Sequence, residues 1–236
     1  MFYSGSPVFA NELLWLIMLL ANFVLILLSY RFFGKIGLYI WTPIAVILAN
    51  IQVLKAVDLF GASATLGNIV YATSFLVTDI LSENYGRSDA KRAVYIGFFA
   101  LLAMTVLMQL SLMFTPAEAD FAHDSLAVIF GIMPRIALGS LTAYGLSQLH
   151  DVWAYHFWKN KKPGKKFIWL RNNLSTMVSQ CIDSLIFTVI AFAGVFTGRV
   201  FWEILLTTYV FKVIVAAADT PFIYIARQWK DKGTVS

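Results

Sequence analysis

At 236 residues, with 59% hydrophobic and 13% charged side chains, the chain is far more apolar than soluble domains, of which about a quarter is charged. A mean hydropathy of +0.74, concentrated in long runs, excludes a soluble globule and leaves no room for a separate soluble domain. The net charge of +5 needs no nucleic-acid partner, because the placement of the cations accounts for it, and the lone Cys181 cannot form an intrachain disulfide.

A membrane-crossing helix needs about 20 apolar residues. Seven segments qualify, at roughly 12–30, 36–56, 66–84, 93–115, 128–157, 173–195 and 202–227. The class is therefore all-α, a polytopic membrane helical bundle. The first segment lacks a basic leader and reads as a retained helix rather than a cleaved signal. The third is the shortest and least hydrophobic. The connections after the odd segments carry Arg31 and Lys35, then Arg87, Lys91 and Arg92, then six cations from Lys159 to Arg171, then Arg227, Lys230 and Lys232. The alternate connections carry Lys55 and Arg199, so the cations outside the segments divide 14 against 2. The positive-inside rule then puts the N-terminus outside and the C-terminus in the cytoplasm. The Lys159–Arg171 run reads as a topology determinant beside an anionic leaflet. Glu118, Asp120, His123 and Asp124 read as a solvated acidic loop rather than a metal site.

Polar side chains within the apolar segments are the informative ones. An ionisable group in lipid costs about 3 kcal/mol or more, so it must face a protein interior, a counter-charge or a ligand. In the third segment Asn68, Phe75, Asp79 and Ser82 share a stripe, with Glu83 beside it. In the sixth, Asn173, Thr176, Gln180 and Asp183 follow helical spacing. The fifth places Arg135 between Gly131 and Gly139, and the seventh sets Thr208, Lys212 and Asp219 near one face. At 1.5 Å per residue, Asp183 and Lys212 both fall about 15 Å from either membrane edge, Arg135 in the outer half, and Asp79 somewhat inward of the middle. Asp58 and Asp151 read as interfacial. Structural ion pairs Asp79–Arg135 and Asp183–Lys212 are one reading. Ligand contact or switching is the stronger one, because burying both charges without a task seldom improves on an apolar core. No HExxH, GxSxG, phosphate-cradling loop or CxxC is present, so no enzyme signature competes and no cofactor or metal is expected.

The runs VTDILSENYG (Val77–Gly86), PRIALGSLTAYGLSQLHDV (Pro134–Val152), QCIDSLIF (Gln180–Phe187) and YVFKVIV (Tyr209–Val215) resemble the queuosine-precursor transporter family, over roughly residues 40 to 227. That resemblance implies uptake across the bacterial inner membrane of 7-cyano-7-deazaguanine, its aminomethyl derivative or queuine. It also implies a six-helix core like the substrate-binding components of energy-coupling-factor vitamin transporters. Another vitamin or purine-like solute is the alternative, and a non-transporting receptor a third. Two departures stand out: an additional N-terminal helix (domain 1–35, before a core over 36–236), and an acid at Glu83 where some members carry a base.

The candidate substrate residues are Asn50, Asn68, Phe75, Asp79, Glu83, Arg135, Gln180, Asp183 and Lys212. Asp183 or Glu83 would take the N–H edge of a guanine-like ring, Gln180, Asn50 and Lys212 its carbonyl edge, and Phe75 or Trp41 its flat face. Asp79 and Arg135 would form a supporting pair. Ala45 and Ala49 form a small-xxx-small pair that could dock an energising partner.

Overall fold

The computed structural model describes residues 11–60, 62–193 and 198–235. Residues 1–10 and the end of the sixth expected segment, 194–195, lie outside the described residues, as do the side chains of Asp58 and Arg199.

Helix α1 (Asn11–Gln52) joins the first two expected segments into one helical hairpin. Its hinge is Gly34, at φ 57° and ψ −141°, a conformation glycine adopts because it has no Cβ to clash. Beyond the hinge the chain doubles back: Ser29 Oγ donates to Gly37 O at 2.9 Å. A Cβ on Gly37 would overlap the Ser29 carbonyl oxygen. At the far end Phe60 N donates to Glu12 Oε1 at 3.1 Å, so the arms 11–33 and 35–52 run antiparallel. One face of the first arm packs into the bundle. Trp15, Leu19, Phe23, Ile26 and Tyr30 are buried in the main core, and Phe23 stacks on Phe222 at 4.4 Å. After the second arm comes a short antiparallel ribbon, β1 (Ala56–Leu59) and β2 (Ala62–Thr65), pairing Ala56 with Thr65 and Leu59 with Ala62. This ribbon is a departure from a purely helical chain, confined to one connection.

Helix α2 (Gly67–Asn84) is the axis of the bundle, with α1, α3, α5, α6 and α7 all packed on it. All of its residues except Tyr71 and Asn84 are buried. That enclosure is what allows Asn68, Thr73, Ser74, Thr78, Asp79, Ser82 and Glu83 in one segment, because none of them meets lipid. Thr73, Ser74 and Thr78 each donate to the carbonyl three residues back, which satisfies them inside the helix itself. At its start, Gly67 lets the α1 backbone come close enough that a Cβ there would overlap Ala49 O. Ala45 and Ala49 are consequently buried against Val70, and their small-residue face is used within the chain.

Helix α3 (Arg87–Leu112) follows, then α4 (His123–Gly131) and α5 (Met133–Lys161). The fifth expected segment breaks at Ile132 because Pro134, in the first turn of α5, has no N–H to give Phe130 four residues back. Gln109 Nε2 on α3 donates to that carbonyl instead, at 2.6 Å. A 3-10 turn (Lys165–Phe167), α6 (Ile168–Phe192) and α7 (Arg199–Asp231) complete the chain. Among the described residues, five stretches are long and apolar enough to cross a membrane: Asn11–Gln52, Arg87–Leu112, His123–Lys161, Lys165–Ala191 and Phe201–Asp231. Their outer faces, such as Ile17, Leu20 and Val24 on α1 and Phe99, Val106 and Leu107 on α3, are apolar and exposed, as lipid contact requires.

The four basic connections meet at one end of the bundle. Arg31 donates to Thr234 O, Lys35 pairs with Asp89 at 3.2 Å, Lys165 with Asp231 at 2.5 Å, and Lys230 lies 4.3 Å from the Tyr85 ring.

Candidate functional site

Polar groups from α2, α5, α6 and α7 meet inside the bundle in three layers. The layer nearest the β-ribbon is built on Asp183 of α6 and Lys212 of α7, which form a direct ion pair with side chains 1% and 3% exposed. Asp183 also accepts from Tyr71 Oη at 2.6 Å and Ser147 Oγ at 3.2 Å. Lys212 Nζ lies 4.7 Å from the Tyr71 ring centre, so Tyr71 contacts both partners, one by its hydroxyl and one by its face. Around this pair Asn50, Asn68, Tyr71, Ser140, Phe187 and neighbouring backbone line a cavity. The cavity's volume is about 20 Å³. As packed the chamber is a slot for one water, and a planar ligand requires its walls to part.

One level further in lie three acids: Asp79 on α2, Asp151 on α5 and Asp219 on α7, each 0% exposed. Thr176 Oγ1 donates to Asp79 Oδ2 at 3.2 Å, and Asn172 Nδ2 to Asp219 Oδ1 at 2.7 Å. Asp151 faces Asp79 across this level, and neither of its oxygens has a hydrogen-bond partner among the described residues. Gln148 ties this level to α2, donating to Ser74 at 3.2 Å and accepting from Thr78 at 3.1 Å.

The third level, at the basic end, centres on Glu83. Its carboxylate accepts from Arg171 Nη2 at 2.6 Å and Tyr155 Oη at 3.1 Å, and pairs with Arg227 at 3.3 Å and Lys159 at 3.5 Å. Lys159 and Arg227 also donate to its backbone carbonyl, at 2.9 and 3.0 Å. One residue of α2 thus holds α5, α6 and α7 together at this end.

The candidate residues therefore separate. Asn50, Asn68, Asp183 and Lys212 share the cavity. Gln180 is buried one turn before Asp183 on α6, outside the lining, with neither amide atom hydrogen-bonded. Phe75 is fully buried behind Tyr71, at 6.4 Å ring to ring, and does not line the cavity. Asp79 and Glu83 belong to the inner two levels. Arg135 is no partner of Asp79: it is exposed and donates to Ile190 O at 3.2 Å and Ala193 O at 2.8 Å, where it caps the carbonyl end of α6. Asp151, expected at an interface, is wholly buried within the bundle, ten residues before the end of α5 at Lys161. Of the expected sixth-segment stripe, Thr176, Gln180 and Asp183 are buried, whereas Asn173 lies at its edge bonded to Thr220 and its neighbour Asn172 is buried. In the loop before α4, Asp120 Oδ1 accepts from the Ala122 and His123 amides, which lowers its pKa.

Tyr71 and Ser147, which bond to Asp183, and Tyr155 and Arg171, which bond to Glu83, belong to the buried polar network but are not among the candidates. Tyr71 reads as one more aromatic, Ser147 as an ordinary helical serine, Tyr155 as a segment-end aromatic, and Arg171 as the last of a run of loop cations. Its neighbour Asn172, the first residue of the buried polar face, is the signal that would have marked the arginine as buried.

A helical bundle with apolar outer faces and a buried ion pair lining an internal cavity is a multi-pass membrane protein of the solute-carrying kind. The chain belongs to the family described as "Putative vitamin uptake transporter", whose profile matches residues 65–226. A Bacillus subtilis (strain 168) protein named "Probable queuosine precursor transporter" is 43% identical over 218 residues, covering 92% of this chain and 95% of the relative. A Haemophilus influenzae (strain ATCC 51907 / DSM 11121 / KW20 / Rd) protein of the same name is 25% identical over 172 residues, covering 72% and 70%. No solved structure matches the chain.

Proposed function

We propose that this protein carries a queuosine precursor of the 7-deazaguanine type across the bacterial inner membrane and binds it between Asp183 and Lys212. The observation that carries this reading is the buried pair itself, lining a cavity in a chain whose relatives are named for that cargo. The N–H edge of a deazaguanine offers two parallel donors, which a carboxylate accepts as a pair. Its carbonyl accepts from an ammonium. Asp183 and Lys212 therefore match the two edges of the ring if the ligand inserts between them and replaces their mutual contact. Tyr71, whose face already holds a cation, is the stacking surface. Asn50 gives its amide nitrogen to Val46 O at 2.8 Å, leaving Oδ1 to accept from a ligand N–H. Asn68 completes the rim, and Gln180 becomes reachable when the walls part.

The N-terminus lies outside and the basic end in the cytoplasm, so the cavity layer is the outward one and the Glu83 layer closes the inner side. Residues 36–236 form a six-helix core akin to the binding components of energy-coupling-factor transporters, to which 1–35 adds a helix. The test is uptake in cells that cannot make the precursor, comparing the cyano, aminomethyl and free-base ligands, with Asp183→Asn as the control. Growth rescue that Asp183→Asn abolishes is the expected result. Rescue that survives this substitution would remove Asp183 from the site. The family description favours a second reading, a vitamin as cargo. A vitamin that competes where no deazaguanine does would establish it.

A further inference from the structure

Among the described residues five acids are buried: Asp79, Glu83, Asp151, Asp183 and Asp219. Two have cations, Glu83 with Arg171, Lys159 and Arg227, and Asp183 with Lys212. The other three have none, since no described Lys, Arg or His nitrogen is within ion-pair distance of Asp79, Asp151 or Asp219. A carboxylate buried without a counter-charge takes up a proton rather than bear the desolvation cost, and two in contact repel unless one carries hydrogen.

We propose that Asp79 and Asp151 hold one proton between them and that this proton is the coupling ion for substrate movement. The pair is built for such exchange. Both Asp151 oxygens and Asp79 Oδ1 are buried with no hydrogen-bond partner among the described residues. Independently, Ser82 Oγ, one turn along α2 from Asp79, and both amide atoms of Gln180, one turn along α6 from Thr176, are wholly buried and unpartnered. Each such group costs about 1–3 kcal/mol unless something solvates it in another state, and water entering beside the acids would do so. The pair is also wired to the cavity. Ser147, which donates to Asp183, precedes Asp151 by one turn of α5, and Gln180 stands between Asp183 and Thr176 on α6. A ligand that takes Asp183 frees Ser147 and draws on Gln180, and so changes the surroundings of the proton.

The groups facing the pair are Tyr155 from α5, Asp219 from α7 and, one turn on, Glu83 with its three cations. His150 of α5 meets Ser179 at 2.9 Å beside Asp151. In each cycle a proton from water on one side becomes a carboxylic O–H and is returned to water on the other.

This inference rests on the transport reading, and its test separates the two. Purified protein in proteoliposomes is given radiolabelled 7-cyano-7-deazaguanine with a proton gradient, a sodium gradient or neither, and in counterflow. An inward gradient of one pH unit should support about tenfold accumulation at one proton per substrate. Asp151→Asn should lose that accumulation while counterflow stays measurable, and Asp151→Glu should restore part of it. Accumulation driven by sodium, or unaffected by the proton gradient, or intact in Asp151→Asn, would overturn the inference. Should Asp151→Asn fail to fold, the wild-type gradient arms and Asp151→Glu still decide. Absence of counterflow in the wild type would instead sink the transport reading on which the inference stands.

Discussion

The two ends of the polar interior are built from the same residue types and behave differently. At the Asp183 end one acid meets one cation directly, beside a small cavity that the pair lines. At the Glu83 end one acid meets three cations and a tyrosine, and two of those cations also donate to its backbone carbonyl. The first arrangement can be opened by a ligand offering equivalent hydrogen bonds, because each partner keeps a replacement. The second can be opened only by removing several bonds together. On the proposed transport reading, the Asp183 end is the side that yields to a ligand and the Glu83 end the side that holds.

Breaking the cavity end should have the largest effect. Asp183→Asn leaves Lys212 as a buried unpaired charge, which costs about 3–5 kcal/mol of stability. It should lower ligand affinity by roughly a hundredfold or more, since two charge-assisted hydrogen bonds are lost. Adding Lys212→Met removes the orphan charge, so thermal stability should recover while binding stays lost. Recovery of both would make the pair a mere fastening. At the other end Glu83→Gln strips a shared anion from three cations. A loss of about 3 kcal/mol from the closed state raises the open population roughly a hundredfold. In a Cys181→Ser background carrying Ser82→Cys, that opening reads out as faster labelling by a water-soluble thiol reagent. An unchanged labelling rate would show that the Glu83 cluster is not what closes this end.

Tyr71→Phe sharpens the comparison within the cavity, because it removes the hydroxyl contact to Asp183 and keeps the ring. A hydrogen bond to a charged group contributes about 1.5–3 kcal/mol, so affinity should fall roughly tenfold to a hundredfold. Tyr71→Leu, which removes the ring as well, should fall further. Equal losses in the two variants, measured by titration of purified protein, would assign no part of binding to the ring face.

Much of the bundle was legible because lipid imposes a simple code. Apolar length gave seven segments, and the alternation of cations assigned four connections to one end, where Arg31, Lys35, Lys165 and Lys230 now meet their partners. Asp183 and Lys212 were visible as a candidate pair from their matching depth. Other pairings were not, because depth alone does not give the direction in which a helix faces. Arg135 and Asp79 both lie on polar-looking stripes, yet α5 turns Arg135 outward to the end of α6 and turns Asp151 inward to Asp79. Two local features are not legible: the Gly34 hinge, because nothing in composition separates a tight helical hairpin from two helices and a loop, and the break at Ile132, because Pro134 sits inside a continuous apolar run.

Arg135 provides the smallest expected effect and a control for the rest. It is a charged residue in an apolar segment, and on polarity alone it ranks with Lys212. The geometry distinguishes them: Lys212 is 3% exposed and faces a carboxylate, whereas Arg135 is exposed and faces two carbonyls at the end of α6. A cation at a helix carbonyl end contributes about 0.3–1 kcal/mol, so Arg135→Ala should lower thermal stability slightly and leave affinity within about twofold. If instead Arg135→Ala abolished binding as Asp183→Asn does, the ligand site would have to extend to the far side of α5. Charge within the membrane would then track function regardless of where the side chain points. A small effect would mean that what distinguishes a site residue here is an ionic partner across the interior, not the presence of charge in the segment.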